Sequence, residues 1–339
     1  MKKKIAIFSF LSLILGLLAG ILVQRQILSK PTQNKIIQKI VDRTLDKYTI
    51  DSLGKAYPNI NPVAITKERV VEDKPGFTSY LFTFSFDPSL GGGGTKKVSG
   101  IINIPKSTVV DKKFPLILMA RGYVDADKYV SGEGTQHGAE AFANNGFITV
   151  APDFLGYGES DKEPSDTFEA RFQTYTTFMT LMKSVNNIPE WDGKNIFLWG
   201  HSNGGQILLT VLEITGVEYP TVLWAPVSKP FPYSILFYTD EADDLGRFLR
   251  KKLADFEAVY DPNLYSIHNY LDRIKAPIEL EQGTADVSVP FIWSDDLNKK
   301  LKEDKVEIIY NVYPGADHNL MPSWNTVVAR DIAFFNKHI

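Results

Sequence analysis

Past Pro115 the chain settles into a repeating texture: short, continuous apolar runs separated by segments with apolar positions at helical spacing. LILMA (116–120), FITVAP (147–152), NIFLWG (195–200), TVLWAP (221–226), PIELEQG (277–283) and EIIYNVYPG (307–315) read as buried strands. Between them AEAFANNG (139–146), residues 171–188, GGQILLTVLEITG (204–216) and SDDLNKKLKEDK (294–305) read as helices, and WNTVVARDIAFFNKHI (324–339) closes the chain as an amphipathic helix. Strands that alternate with helices predict an α/β class fold, a mostly parallel sheet covered on both faces. In such sheets reactive groups sit on loops at the carboxyl ends of the strands.

The earlier chain has a different pattern. From Val63 to Phe86 apolar and polar residues alternate, and after the Gly91–Gly94 run comes VSGIINI (98–104), so a small antiparallel lead-in sheet is expected. Residues 31–57 have helical spacing and predict a polar-faced stalk helix. At the start, Lys2, Lys3 and Lys4 precede an uncharged run from Ile5 to Val23, which ends at Gln24 and Arg25. Its 19 residues exceed a secretory h-region and approach a helical span of roughly 20. An uncleaved signal anchor is expected, with a cleaved signal as the alternative. Either one exports the body, because the lysines favour the cytoplasmic side.

Charge sharpens this division. Of 37 basic side chains, five lie in the first thirty residues, leaving 32 against 40 acidic ones, a net of −8 for the body. An acidic body without a basic cluster excludes nucleic acid as a partner. The absence of cysteine excludes disulfides, thiolate metal sites and a cysteine nucleophile. Histidines are dispersed and the glycine strings form no dinucleotide or phosphate fingerprint, so neither a metal nor a cofactor is expected.

One string stands out. Directly after NIFLW come Gly200-His201-Ser202-Asn203-Gly204-Gly205 and then a helix, which is G-x-S-x-G between strand and helix. Such a turn strains the serine backbone and lifts its hydroxyl clear of the sheet. Serine needs a base to take its proton and an acid to orient that base. Among five histidines, His201 adjoins the serine and reads as packing, His338 and His137 flank helices, and His268 lies in a predicted helix. His318, in the loop after EIIYNVY, reaches the same sheet edge and is the candidate base. Asp286, turning out of PIELEQG, is the candidate orienter. Asp317 adjoins His318, Asp295 and Asp296 read as first-turn helix carboxylates, and Asp272 lies upstream of the strand. For an oxyanion, the backbone N–H groups of Asn203 and Tyr123 are the candidate donors.

Together these residues resemble the α/β-hydrolase superfamily, in which Ser202, Asp286 and His318 follow the expected chain order. They resemble more closely its prolyl-oligopeptidase-like serine peptidases. The resemblance rests on G-x-S-N-G-G, on Pro152-Asp153-Phe154-Leu155-Gly156-Tyr157-Gly158-Glu159-Ser160, on the stretch from Tyr270 through Asp286 to Pro290, and on Tyr313-Pro314-Gly315-Ala316-Asp317-His318. It covers about residues 97–339. It implies a catalytic triad of Ser202, Asp286 and His318, with Tyr123 and Asn203 forming the oxyanion hole. The expected domains are therefore an anchor (1–30), a stalk and β lead-in (31–96) and a hydrolase domain (97–339) with a helical cap insertion at about 227–276.

Two departures bear on specificity. Residues 31–96 are too short for even two propeller blades of about 40–45 residues, and Arg121 stands where relatives often have histidine. In the insertion, Phe231, Tyr233, Phe237 and Tyr238 either line an acyl pocket or form the cap's own core. Glu241-Ala242-Asp243-Asp244 reads as a solvated helix start. The leading expectation is a membrane-anchored, extracytoplasmic serine hydrolase cleaving short peptides. A carboxylesterase is the first alternative and an inactive binding module on this scaffold the second. Residues that contact substrate, and the oligomeric state, are left open by the sequence.

Overall fold

The computed structural model describes residues 42–241 and 244–339, without the side chains of residues 240 and 241. The predicted anchor (1–30) and the start of the predicted stalk lie outside the described residues. Among the described residues no helix is long and apolar enough to cross a membrane. The chain divides into Met1–Asp42 and Arg43–Ile339, and every element below belongs to the second unit.

Its nine strands are β1 (Thr66–Asp73), β2 (Phe77–Phe86), β3 (Lys96–Pro105), β4 (Phe114–Ala120), β5 (Ile148–Pro152), β6 (Trp191–His201), β7 (Thr221–Trp224), β8 (Ile278–Gly283) and β9 (Ile308–Tyr313). They form one sheet in the order β1-β2-β3-β5-β4-β6-β7-β8-β9. The predicted lead-in is β1–β3, an antiparallel meander that joins the main sheet through antiparallel pairing of β3 with β5. From β5 to β9 every pairing is parallel. All six runs predicted as buried strands are strands here, but β9, at the edge of the sheet, is only partly buried.

Alternation within the central strands feeds two apolar layers. Leu116, Leu118, Leu198, Leu223 and Leu280 belong to one, and Ile117, Met119, Phe197, Trp199, Val222 and Trp224 to the other. The first layer is closed by α3 (Thr167–Ser184) and α4 (Asn203–Thr215), and the second by α2 (Gln136–Asn144) and α7 (Trp324–Lys337). α3 starts where the Asp166 side chain accepts from the N–H groups of Phe168 and Glu169.

The start of the described chain and the turn around His268 depart from the expected pattern. Residues 44–56 form a short 3₁₀ turn, Thr44–Tyr48, and α1 (Ile50–Ala56), with Leu45, Tyr48, Ile50 and Leu53 buried. A continuous polar-faced helix has no place for that apolar face, so this stretch packs on α4; a Cβ on Gly54 would stand 3.2 Å from the Ile214 carbonyl. The insertion is helical as expected, with a 3₁₀ segment at Tyr233–Glu241 and α5 (Arg247–Glu257). Asp244 accepts from the N–H groups of Gly246 and Phe248 and so starts α5, while Ala242 and Asp243 lie outside the described residues. His268, expected in a helix, sits in the 3₁₀ turn Ile267–Asn269.

Candidate active site

Ser202 stands between β6 and α4 with φ 56° and ψ −119°, a strained conformation for a residue with a side chain. Close backbone approach on both sides holds it there. Its N–H donates to the Trp224 carbonyl at 2.9 Å, and its carbonyl accepts from the N–H groups of Gly205 and Val227, each at 3.0 Å. A Cβ on Gly204 would come within 1.9 Å of the Ala120 carbonyl oxygen, so no side chain fits there. A Cβ on Gly200 would press on Leu208 Cδ1 at 2.8 Å and on the Gly204 carbonyl oxygen at 2.9 Å. The glycines of the motif are therefore demanded by the close contact of α4 with β6 at Gly200 and with β4 at Gly204.

Asp286 and His318 leave β8 and β9, which are parallel neighbours. Their loops interlock: Ala285 N–H donates to the Ala316 carbonyl at 2.9 Å, and Thr284 N–H to the Tyr313 carbonyl at 3.0 Å. His318 Nδ1 lies 2.8 Å from Asp286 Oδ2. The other Asp286 oxygen accepts from the N–H groups of Ser288 (2.9 Å) and Val289 (2.8 Å), and Gln282 Nε2 donates to Oδ2 at 3.1 Å. Burial alone would push the Asp286 carboxyl up. The His318 ring, the Val289 N–H and the Gln282 amide outweigh it and hold the group below its ordinary range. An ionised carboxylate only accepts, so the His318 proton sits on Nδ1 and Nε2 is left with a free lone pair.

Ser202 and His318 follow β6 and β9, whose carboxyl ends share one edge of the sheet. Among the described residues the Ser202 hydroxyl makes no hydrogen bond, a common condition of such pairs before substrate docks. His201 brings the two regions together. Its ring lies 4.6 Å, centroid to centroid, from that of His318, and its Nε2 is 3.0 Å from the His318 carbonyl. A carbonyl only accepts, so Nε2 carries the proton. Burial, with the His318 ring close by, pushes the His201 ring down to about 4, which keeps it neutral. The expected packing role thus includes a specific hold on the His318 loop. The signal lay in its position as the last residue of the strand that delivers the serine.

Among the described residues, neither the Asn203 N–H nor the Tyr123 N–H has an acceptor. A Cβ on Gly122 would stand 3.1 Å from Ser202 Cβ, so the Gly122–Tyr123 peptide abuts the serine. Arg121 sets that peptide. Its buried guanidinium donates to the Gly122 carbonyl at 2.9 Å and the Asp153 carbonyl at 3.0 Å, and lies 3.9 Å from the Tyr157 ring centroid and 4.8 Å from that of Tyr129. The Gly122 carbonyl and the Tyr123 N–H belong to one planar trans unit and point in opposite directions. Gripping the carbonyl therefore aims the N–H. Asp153 completes this support by accepting from the hydroxyls of Tyr129 (2.7 Å), Ser131 (2.7 Å) and Ser99 (2.5 Å). On the opposite side, Arg171 of α3 donates to the side-chain oxygens of Asn203 and Gln206. Composition and spacing give no signal for either arginine, since Arg171 acts on Asn203 and Gln206, and Arg121 is held over Gly122 by Asp153 and by the Tyr157 and Tyr129 rings.

The remaining acidic candidates lie elsewhere. Asp317 closes its own turn by accepting from the N–H groups of Asn319 and Met321. Asp295 and Asp296 fall in the second turn of α6 (Phe291–Glu303) rather than the first, because the helix starts earlier than its polar residues suggest. There Asp295 accepts from the Tyr310 hydroxyl and Asp296 pairs with Lys229. Of the insertion's aromatics, Phe231 is core, with its ring 5.4 Å from that of Phe172. Phe237 packs on Trp293 at 4.9 Å yet stays 46% exposed, and Tyr233 is 48% exposed.

The family model described as the prolyl oligopeptidase family matches residues 134–339. The acetyl esterase Axe7A of Xylanibacter ruminicola is 26% identical over 172 residues, 50% of this chain, and the chain spans only 37% of that relative's length. Among solved structures, acetyl xylan esterase 1 from Thermoanaerobacterium sp. JW/SL YS485 is similar with a TM-score of 0.58 at 16% identity, over 86% of this chain and 94% of the other. A puromycin-hydrolyzing peptidase of Mycobacterium tuberculosis is similar with a TM-score of 0.55 at 16% identity, over 81% of this chain and 39% of the other. At such identities the two structural likenesses concern the fold.

Proposed function

The chain belongs to the prolyl oligopeptidase family and is a serine hydrolase, and on that premise we propose that Ser202, His318 and Asp286 are its triad and that it hydrolyses small acyl esters. The observation that carries the reaction is the 2.8 Å contact between His318 and Asp286, which leaves Nε2 bare at the edge where Ser202 turns. Nε2 takes the hydroxyl proton as Ser202 Oγ attacks the substrate carbonyl. The N–H groups of Asn203 and Tyr123 receive the oxyanion, each such donor contributing about 3–4 kcal/mol. The tetrahedral adduct collapses, the alcohol leaves with the proton from His318, and a water activated at Nε2 releases the acid.

Ester specificity is supported by the acetyl esterase relative and by the near end-to-end match to an esterase of the same fold. Family membership favours a second reading, the cleavage of short peptides. The anchored, extracytoplasmic placement is supported by Lys2, Lys3 and Lys4 ahead of the apolar run Ile5–Val23. Fluorophosphonate labelling tests the triad: wild type should label and Ser202→Ala should not. Failure of the wild type to label would return the chain to a binding role. Paired kinetics on p-nitrophenyl acetate and aminoacyl naphthylamides separate the substrates. Ester turnover with inert amides is expected, whereas amide cleavage at comparable kcat/KM would make the chain a peptidase.

A further inference from the structure

Beneath the strand ends that carry Asp286 and His318, the sheet buries three carboxylates. Glu279 and Glu281 lie one residue apart on β8 and share a face, and Asp331 meets them from α7. Glu281 and Asp331 are 0% exposed and Glu279 is 5% exposed. Each has one oxygen held by a neutral donor. Asn311 Nδ2 donates to Glu279 Oε1 at 3.1 Å and to Glu281 Oε1 at 2.8 Å, and Trp224 Nε1 donates to Asp331 Oδ2 at 2.9 Å. The second oxygens, Glu279 Oε2, Glu281 Oε2 and Asp331 Oδ1, have no partner. One oxygen from each residue falls within 4.8 Å of the others.

We propose that Glu279, Glu281 and Asp331 form a buried structural site for one hard divalent cation, calcium or magnesium. The unpartnered oxygens are the argument. A carboxylate buried without compensation is strongly unfavourable, and three converging ones more so. Cations with metal–oxygen distances of about 2.0–2.6 Å bridge oxygens at this spacing. Metal-ligating carboxylates typically have one oxygen oriented by an outer donor, as Asn311 and Trp224 do here. The cluster stays net negative: Arg330 and Lys337 act on Glu279, and Arg330 with the Tyr313 hydroxyl acts on Glu281, against three carboxylates. Without a cation, burial and mutual repulsion push Glu281 up to about 8 and Asp331 well above its ordinary range, so retained protons are the competing way to neutralise the cluster. A cation would tie β8 to α7 and, through Asn311, to β9, directly under the loops of Asp286 and His318.

The test takes the full chain in detergent, dialysed against chelator, and titrates calcium or magnesium chloride by calorimetry and by thermal unfolding at pH 8. Uptake of one ion per chain is expected. Saturation at a hundred times the dissociation constant should raise Tm by roughly 5–10 °C, and both responses should vanish in Glu281→Gln and in Asp331→Asn. Should either variant fail to fold, the wild-type titration decides alone. No uptake and an unmoved Tm would overturn the proposal. So would an unchanged calcium response in Glu281→Gln. Metal-independent stabilisation of Glu281→Gln at pH 8, without ion uptake by the wild type, would assign the cluster to shared protons.

Discussion

Two regions meet at the carboxyl edge of this sheet, and different forces hold each. Around Ser202 the backbone does the positioning: Gly200 and Gly204 let α4 press against β6 and β4 so closely that a single methyl group finds no room. Around His318 polar bonds do it, through Asp286, Gln282, the Ser288 and Val289 N–H groups and the His201 ring. Steric contact tolerates no substitution but needs no particular pH. Hydrogen bonds tolerate substitutions of the same shape but depend on where each proton sits. The serine side should therefore fail by unfolding, and the base side by losing activity within an intact fold.

The largest effect expected is on the base side. In Asp286→Asn the carboxamide oxygen can still accept from Ser288 and Val289, but its NH₂ faces His318 Nδ1 and drives the ring proton to Nε2. The kcat should fall about ten-thousand-fold, or about 5.5 kcal/mol of barrier, with Tm within a few degrees of wild type. Activity within tenfold of wild type would remove this pair from the reaction. Next comes Gly204→Ala, whose methyl would meet the Ala120 carbonyl at 1.9 Å. A loss of more than about 4 kcal/mol in denaturant unfolding is expected; a stable, active variant would show that α4 can shift, and the contrast would fail.

Smaller effects sharpen the comparison. His201→Phe keeps a ring beside His318 but removes the donor to its carbonyl. A drop of about tenfold in kcat/KM is expected, about 1.4 kcal/mol, and it should be uniform from pH 6 to 9 because His201 is already neutral there. A change confined to the acid side would contradict that. Smallest of all is Glu213→Gln on α4. Glu213 is buried, both its oxygens lack partners, and burial raises its carboxyl well above the ordinary range. A raised carboxyl lends stability at low pH and loses it as pH climbs past the unfolded value. The amide should change little at pH 4 and gain about 1 kcal/mol at pH 8, roughly 2–4 °C in Tm; an equal shift at both pH values would exclude ionisation as its cause.

Legibility followed the range of the interactions. Strands β4 to β8 announced themselves as apolar runs, because a strand covered on both faces leaves little room for polar residues, and the edge strand β9 did so although it is only partly buried. His318 emerged from five histidines by its place after a strand. Residues 44–56 misled, since helical spacing says that an apolar face exists but not what covers it. Phe231 could not be assigned to a pocket lining or to the cap's own core for the same reason, and it packs with Phe168 and Phe172 of α3. Arg121, which the sequence marked only as standing where relatives often have histidine, is 6% exposed and lies over the Tyr157 and Tyr129 rings. Glu279 and Glu281 do carry a faint mark, two acids on one face of a strand that otherwise reads as buried.

By itself the sequence determined the order of strands and helices, the turn that exposes Ser202 and the loops that end in Asp286 and His318. These depend on local patterning, glycine placement and the rule that parallel strands deliver their loops to one edge. Packing in three dimensions settled how the pieces bear on one another: that Arg121 reaches the carbonyl of Asp153, that His201 clasps the loop of His318, and that Asp331 arrives over two glutamates 50 and 52 residues earlier in the chain. Those meetings are set by packing across the sheet, where distance along the chain carries no information about distance in space.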